Sequence, residues 1–173
     1  MEAIERYTAR KTRQISLYTL SSRDGGSYVL ILYLSGEKLI SAGKLGEFKF
    51  PLGYYAYVGS ALGMGGLRAR LRHHLHITNN PNWHIDYLRK HATIKEIWIC
   101  KSKVRYEHAW ASMFQNSEGA TVAMPHFGSS DCRCRSHLFV FNSRPLLNQF
   151  QNLVHREFSG DLKTTLFSNF LPK

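Results

Sequence analysis

The sequence is poor in cysteine, proline and acidic residues. Its 173 residues include three cysteines, an odd count that argues against a framework of disulfide bonds and favours reduced thiols. The 13 glycines and 5 prolines are too few for a low-complexity or collagen-like chain. Because 43% of the residues are hydrophobic, we expect an ordered core rather than disorder.

Long apolar runs are also missing. The longest, Tyr28 to Leu34, is far shorter than the roughly 20 residues that a membrane-spanning helix needs. The segment from Met1 to Arg6 carries charges of both signs and leads into no apolar stretch, so we expect no secretory signal. These features predict a soluble, cytoplasmic protein with no membrane partner.

Basic residues are in excess. Lys and Arg number 23 against 12 Asp and Glu, which gives a formal net charge of +11. Such an excess suggests a polyanionic partner, because neutralising phosphates releases counterions and steers association. The alternative is that the charge only keeps the protein in solution, and composition leaves both interpretations open.

No internal repeat or linker divides the chain, so we treat it as one domain with two appendages. Residues 1–24 are rich in Arg, Thr and Ser and predict an N-terminal extension with a short strand at 15–20. Residues 25–145 predict the main domain. Residues 146–173 predict a C-terminal helix and tail that pack on it.

Strand and helix patterns alternate in the main domain. The apolar residues 28–34 predict a strand buried on both faces, and the aromatic segment 54–58 predicts a second strand. A leucine at every fourth position predicts a helix at 67–75. Further strands are predicted at 38–42, 46–50, 94–100 and 136–141, and further helices at 82–88, 105–116 and beyond 146. This order predicts an α/β (α+β) fold in which helices flank a small mixed sheet.

A glycine loop at 59–66 separates a predicted strand from a helix, an arrangement that favours anion binding. Its glycine spacing fits neither of the common nucleotide-binding motifs, so we expect no dinucleotide or Walker-type site. The helix that follows carries Arg70 and His74 one turn apart. Two basic side chains at this spacing repel each other unless an anion such as phosphate lies near them, although a solvated basic face is the alternative.

Several segments resemble a known family. Gly26-Ser27-Tyr28, Tyr57-Val58-Gly59 and the helical Arg70 and His74 are similar to the GIY-YIG nuclease motif. Residues 53–63, 65–70, 83–88 and 127–139 resemble one uncharacterised branch of that superfamily, which occurs alone or fused to base-excision DNA glycosylases. The two tyrosines stand further apart in this sequence than is usual in the family.

The resemblance implies a small α/β domain around a three-stranded mixed sheet that hydrolyses phosphodiester bonds with one divalent metal ion, Mg²⁺ or Mn²⁺. It implies that Tyr28 and Tyr57 face the site from neighbouring strands and that Arg70 and His74 lie on the next helix. It assigns metal binding to Glu107 on a later helix. Tyr57 as a core aromatic and Glu107 as a solvated helix residue are the alternatives.

These residue types suit the chemistry. Arg70 has a planar guanidinium whose N–H groups can donate two parallel hydrogen bonds to a phosphate. A cation and a metal nearby stabilise the phenolate of Tyr57, which then takes a proton from water directly or with His74 as a relay. Glu107 supplies the hard oxygen ligand that Mg²⁺ prefers. We therefore expect an endonuclease that acts on DNA in repair or nucleic-acid processing.

Other side chains are expected to bind the nucleic acid. These are Arg68, Arg72, His84, Arg133 and Arg135, and Trp83 or Tyr87 are candidates for stacking a base. A DNA glycosylase or another repair enzyme is the expected protein partner. The rival interpretations are a nucleic-acid-binding accessory module of the same fold that does not hydrolyse, and a nuclease directed at RNA.

A cysteine-rich turn follows in the sequence. Cys132, Cys134 and His137, with His126 upstream, are of the types that bind zinc. Their spacing is not that of a common zinc finger, so we expect this turn to pack against the site and position it rather than hold zinc. Asp131 is a candidate for orienting a water or a basic side chain, and an ordinary turn-forming role is its alternative.

Overall fold

The computed structural model describes residues 13–14, 16–158 and 167–170 of the chain. The strands are β1 (Arg13–Gln14), β2 (Gly26–Leu34), β3 (Lys38–Ser41), β4 (Glu47–Phe50), β5 (Gly53–Ala61), β6 (Thr93–Lys101), β7 (Thr121–Val122), β8 (Leu138–Phe141) and β9 (Phe167–Phe170). The α-helices are α1 (Gly66–Leu75), α2 (His84–Arg89), α3 (Glu107–Gln115) and α4 (Leu147–Glu157). Short 3₁₀ turns occur at Leu17–Thr19 and Gly43–Leu45.

One sheet organises the fold. Its strand order is β1-β9-β6-β2-β5-β8-β7, and each neighbouring pair is antiparallel except β1 with β9, which is parallel. Strands β3 and β4 form a separate antiparallel pair. The predicted α/β class with a mixed sheet and flanking helices is confirmed, although the sheet is larger than the three strands that the resemblance implies.

The central strand β2 is buried on both faces, as its unbroken apolar sequence predicts. Its alternate side chains belong to two different cores because successive residues of a strand point to opposite faces. Tyr28, Leu30 and Leu32 pack on the face that α1 and α2 cover, together with Leu67, Leu71, Ile85 and Leu88. Val29 and Ile31 pack on the face that α3 and α4 cover, together with Trp110, Phe114, Phe150 and Val154.

Helix α4 lies on the second of these faces. Its buried residues Leu147, Phe150 and Val154 contribute to the same core as Trp98 of β6. Phe150 stacks on the Trp98 ring, with the two ring centroids 5.4 Å apart. Among the residues that the structure describes, no helix has the length and apolar character needed to cross a membrane.

Two local predictions need correction. The strand predicted at 15–20 is absent over 16–20, where a 3₁₀ turn forms instead, and residue 15 lies outside the described residues. The turn is favoured because Ser16 accepts hydrogen bonds from the Tyr18 amide and the Thr19 hydroxyl. The predicted glycine loop is shorter than 59–66, because β5 stays paired with β2 until Ala61 lies opposite Gly26.

Candidate active site

Strands β2 and β5 bring two tyrosines to one face of the sheet. Tyr28 lies opposite Gly59, and Leu30 lies opposite Tyr57, so the tyrosines are diagonal neighbours across an antiparallel pair. A Cβ atom at position 59 would lie 2.4 Å from Cζ of Tyr28, far inside van der Waals contact. Gly59 is therefore the residue that makes room for the Tyr28 ring.

Helix α1 places His74 against Tyr28. The Tyr28 hydroxyl and His74 Nε2 are 2.8 Å apart, and both side chains are buried. Burial lowers the pKa of His74 to about 3 and is also the main cause that raises the pKa of Tyr28 well above its ordinary value. At neutral pH the Tyr28 hydroxyl is therefore a neutral phenol that shares a hydrogen bond with Nε2 of a neutral imidazole.

Asp86 of α2 supports His74 from the other side. Its carboxylate accepts hydrogen bonds from the backbone N–H groups of Asn82 and Trp83, at 2.9 and 3.1 Å, and lies 3.0 Å from His73 Nε2. It also lies 4.0 Å from His74 Nδ1. The histidines and Asp86 are of metal-binding types, but these contacts already account for the buried carboxylate.

Arg70 is held over an aromatic ring. Its guanidinium carbon lies 4.2 Å from the centroid of Trp83, a cation–π geometry that fixes the direction of the side chain. The Trp83 ring in turn contacts His73 and His74 edge to face, with centroid distances of 4.5 and 5.7 Å. A chain of ring contacts thus connects the buried His74 and the partly buried His73 to the half-buried arginine.

Glu107 is the first residue of α3, where a negative charge interacts favourably with the helix dipole. Its Oε2 accepts a hydrogen bond of 2.8 Å from the hydroxyl of Ser60 at the end of β5. Its Oε1 lies 3.5 Å from Nδ1 of His137, just before β8. The carboxylate is therefore held between two strands while 14% of the side chain stays exposed.

Tyr57, Arg70 and Glu107 line one cavity of about 540 Å³. Its wall also includes Ser60, Leu62, Gly63, Asn82, Trp83, His84, Arg105, Gly128, Ser130 and Asp131. The volume is within the range of ligand-binding sites, roughly 300 to 1,000 Å³. Tyr28 and His74 are not part of this wall, and they lie buried behind it with His74 packed edge to face on Tyr57.

The predicted nucleic-acid-binding residues are divided between several places. His84 lines the cavity, and its Nδ1 accepts a hydrogen bond of 3.1 Å from the Gly128 amide. Arg68 and Arg72 are exposed on α1 outside the cavity wall. Arg133 and Arg135 line a separate cavity of about 530 Å³ beside α3.

Three polar residues of the cavity wall are not identified as site residues by the sequence patterns. Arg105 precedes α3 and lines the cavity, and Ser60 and Asn82 contribute polar groups. Arg105 sits two residues before Glu107, within the segment predicted as helix, and only its basic type signals a role. Ser60 lies within the segment 53–63 that carries the resemblance, but a serine at a strand end is common and does not indicate the contact with Glu107.

The surroundings of Tyr57 in the cavity wall favour its neutral, protonated form. Burial raises the pKa of Tyr57 above its ordinary value, and the negative charge of Glu107 raises it further. The positive charge of Arg70 lowers it, but by less than burial raises it. A phenolate at position 57 therefore needs more positive charge in the cavity than Arg70 provides.

A second group of ligand-type side chains lies on the other side of Glu107. His108, Cys132, Cys134 and His137 each offer one ligand atom, and these four atoms lie within 4.8 Å of one another. Burial is the main cause that raises the pKa of Cys134 to about 11 and lowers the pKa of His137. The sequence spacing brings His137 near the cysteines but gives no sign that His108 joins them.

The fold and site define a mixed α/β domain whose polar cavity brings together a tyrosine, an arginine and a glutamate from β5, α1 and α3. A model of one protein family, described as "Domain of unknown function DUF123", matches residues 27–159. The chain belongs to this family. Neither a curated protein nor a solved structure matches the chain.

Proposed function

We propose that this protein is a metal-dependent endonuclease of the GIY-YIG type that hydrolyses phosphodiester bonds in DNA. The observation that supports the proposal most is the shared cavity of Tyr57, Arg70 and Glu107. These residues are distant in sequence and come from a strand and two helices. A phenol, a guanidinium and a carboxylate at one opening are the groups that this hydrolysis needs.

The carboxylates of the cavity fit a hard divalent cation. Glu107 and Asp131 both line the wall, and each ionised carboxylate has about four lone-pair positions. The contacts of Glu107 with Ser60 and His137 leave some of its positions free. Mg²⁺ prefers such oxygen ligands, keeps several waters and is held by one or two carboxylates. We therefore assign Glu107 to the cation, with Asp131 of the same cavity wall as the second carboxylate.

Arg70 and Tyr57 act on the phosphodiester bond. Arg70 donates hydrogen bonds to the phosphoryl oxygens as negative charge grows on them. Tyr57, once ionised, accepts the proton of the attacking water as the phosphorus–oxygen bond to the leaving group breaks. A bound Mg²⁺ supplies the additional positive charge that favours this ionisation and stabilises the oxyanion.

Tyr28 and His74 are positioning residues in this proposal. Neither is among the residues that line the cavity, and the neutral His74 shares a hydrogen bond with Tyr28. His74 instead packs on the Tyr57 ring, and Trp83 holds the guanidinium of Arg70. A proton relay through His74 is therefore not part of the mechanism.

The test is cleavage of labelled single-stranded, duplex and branched DNA, and of RNA with the same sequences, in Mg²⁺, Mn²⁺ or EDTA. We expect metal-dependent cutting of DNA that Glu107→Gln abolishes while binding persists. Tyr57→Phe, which keeps the ring and removes the hydroxyl, is expected to lower the rate about 100-fold or more. Glu118→Gln, at an exposed glutamate beyond α3, is the matched control and should cut normally.

A second comparison separates catalysis from binding. Arg70→Ala is expected to lose cutting, whereas Arg72→Ala, on the same helix but outside the cavity, should change only affinity and its salt dependence. Salt-sensitive binding without any cutting would favour the accessory module, and preferential cutting of RNA would favour the RNA-directed nuclease. Cutting that survives Glu107→Gln would contradict the site.

A further inference from the structure

We propose that His108, Cys132, Cys134 and His137 bind a structural zinc ion. This inference does not depend on the proposed nuclease activity. Helix α3 supplies His108, and the segment leading into β8 supplies the other three side chains. Cys134 Sγ lies 3.4 Å from His108 Nδ1, and Cys132 Sγ lies 3.5 Å from His137 Nε2. All four ligand atoms lie within 4.8 Å of one another.

The two sulfur–nitrogen separations fit tetrahedral coordination. Zinc binds thiolate sulfur at about 2.3 Å and imidazole nitrogen at about 2.0 to 2.1 Å, so a sulfur and a nitrogen on one ion lie about 3.5 Å apart. The sulfur–nitrogen distances of 3.5 and 3.4 Å in the structure match that value. Cys132 and Cys134 are free thiols, which leaves both sulfurs available.

The ligand types select zinc over the cation proposed for the neighbouring cavity. Two thiolates and two imidazoles form a soft, closed set of four, which is typical of structural zinc, whereas Mg²⁺ takes oxygen ligands. Cys132, Cys134 and His137 have a spacing unlike that of common zinc fingers, and the fourth ligand comes from a helix distant in sequence. Sequence spacing alone therefore misses the fourth ligand.

The surroundings of His137 fit a zinc ligand. Its backbone is fixed on both sides, since its amide donates to the Phe127 carbonyl at 2.8 Å and its carbonyl accepts from the Val58 amide at 2.9 Å. If Nε2 binds the ion, Nδ1 is the nitrogen that lies 3.5 Å from Oε1 of Glu107. A carboxylate beside the second nitrogen of a zinc-bound histidine is a common arrangement.

A bound zinc ion also restrains the long loop that leads into β8. Between β7 and β8 the chain runs through residues 123–137 with no helix or strand. Gly128, Ser130 and Asp131 of this segment form part of the cavity wall. An ion bound to both α3 and this segment ties the long loop to a helix, and its binding free energy adds to the stability of the fold.

The experiment measures metal content and ligand type in the full chain, purified under reducing conditions. Mass spectrometry of the metal in acid-digested protein is expected to give about one zinc ion per chain. Replacement by Co²⁺ is expected to give the visible absorption of tetrahedral cobalt with a thiolate charge-transfer band. The control Cys100→Ala, at a buried cysteine of β6 outside the cluster, should keep full stoichiometry.

Variants identify the ligands. Cys134→Ser and His108→Ala are expected to lower bound zinc at least tenfold at a fixed free zinc concentration, and the cobalt spectrum should lose thiolate character in Cys134→Ser. If a variant does not fold, the wild-type cobalt spectrum still decides the question. Wild-type protein that takes up neither zinc nor cobalt, or a cobalt spectrum without thiolate character, would overturn the proposal.

Discussion

The buried pair of Tyr28 and His74 makes the stability of the fold depend on pH. His74 is 1% exposed, and burial lowers its pKa from 6.5 to about 3. Between these two pH values the unfolded chain binds a proton at this imidazole and the folded chain does not. The stabilisation is therefore complete above about pH 6.5 and is lost as the pH falls towards 3.

The size of the effect follows from the shift. One pKa unit corresponds to 1.36 kcal/mol, so the full shift is worth about 5 kcal/mol, and the part lost between pH 6.5 and pH 4 is about 3 kcal/mol. His84 and His137 also have lowered pKa values and act in the same direction. The contribution of His74 has to be isolated by comparison with a variant that cannot titrate.

The assay is urea unfolding at several pH values between 7 and 4, followed by tryptophan fluorescence, for wild type and His74→Gln. His74→Gln is expected to be less stable at pH 7 but to lose about 3 kcal/mol less on acidification, because both proteins share the other histidines. His91→Gln, at an exposed histidine, should follow the wild type. Parallel curves for wild type and His74→Gln would refute the reasoning.

Further predictions concern the packing that supports the site. Gly59→Ala should destabilise the fold by about 2 kcal/mol in urea unfolding, since its Cβ strikes the Tyr28 ring, and an unchanged midpoint would contradict this. Phe114→Ala should lower the free energy of unfolding by about 3 to 5 kcal/mol in the same assay, because Phe114 is buried in the core. Trp83→Leu removes the ring beneath Arg70 and should weaken DNA binding several-fold in fluorescence anisotropy, with folding preserved by circular dichroism.

The fold was largely predictable because its strongest signals are local. The continuous apolar run of β2 requires cover on both faces, and the leucine spacing of α1 supplies part of that cover. Tyr28 and Tyr57 do lie on neighbouring strands, since β2 and β5 pair antiparallel, but only Tyr57 lines the cavity. One failure is the strand predicted at 15–20, since residues 16–20 follow local Ser and Thr hydrogen bonds rather than strand propensity. The other is the start of the glycine loop, since β5 continues to Ala61.

The candidate site was predictable only in part, because its partners are distant in sequence. The resemblance supplies Tyr57, Arg70 and Glu107, and these do line one cavity. No spacing rule relates Ser60 to Glu107 or His108 to Cys134, since each pair meets only after the sheet and α3 have packed together. Contacts of this kind depend on the packed tertiary structure, which no short window of sequence encodes.

The loop between β7 and β8 connects the two proposed sites through contacts with little freedom. At Gly128 the backbone has a φ of 73°, and an added Cβ would lie 2.9 Å from Cε2 of Tyr57 and 3.2 Å from Cβ of His137. The same residue donates its amide to His84. A loop packed this closely has few alternative conformations that keep the cavity open.

The position of Glu107 also depends on this loop. Because one oxygen of Glu107 accepts a hydrogen bond from Ser60 and the other lies beside His137, the carboxylate proposed for Mg²⁺ is positioned from both sides. The geometry of the cavity thus depends on how firmly the cysteine-rich segment is held, which is the task that a zinc ion would perform.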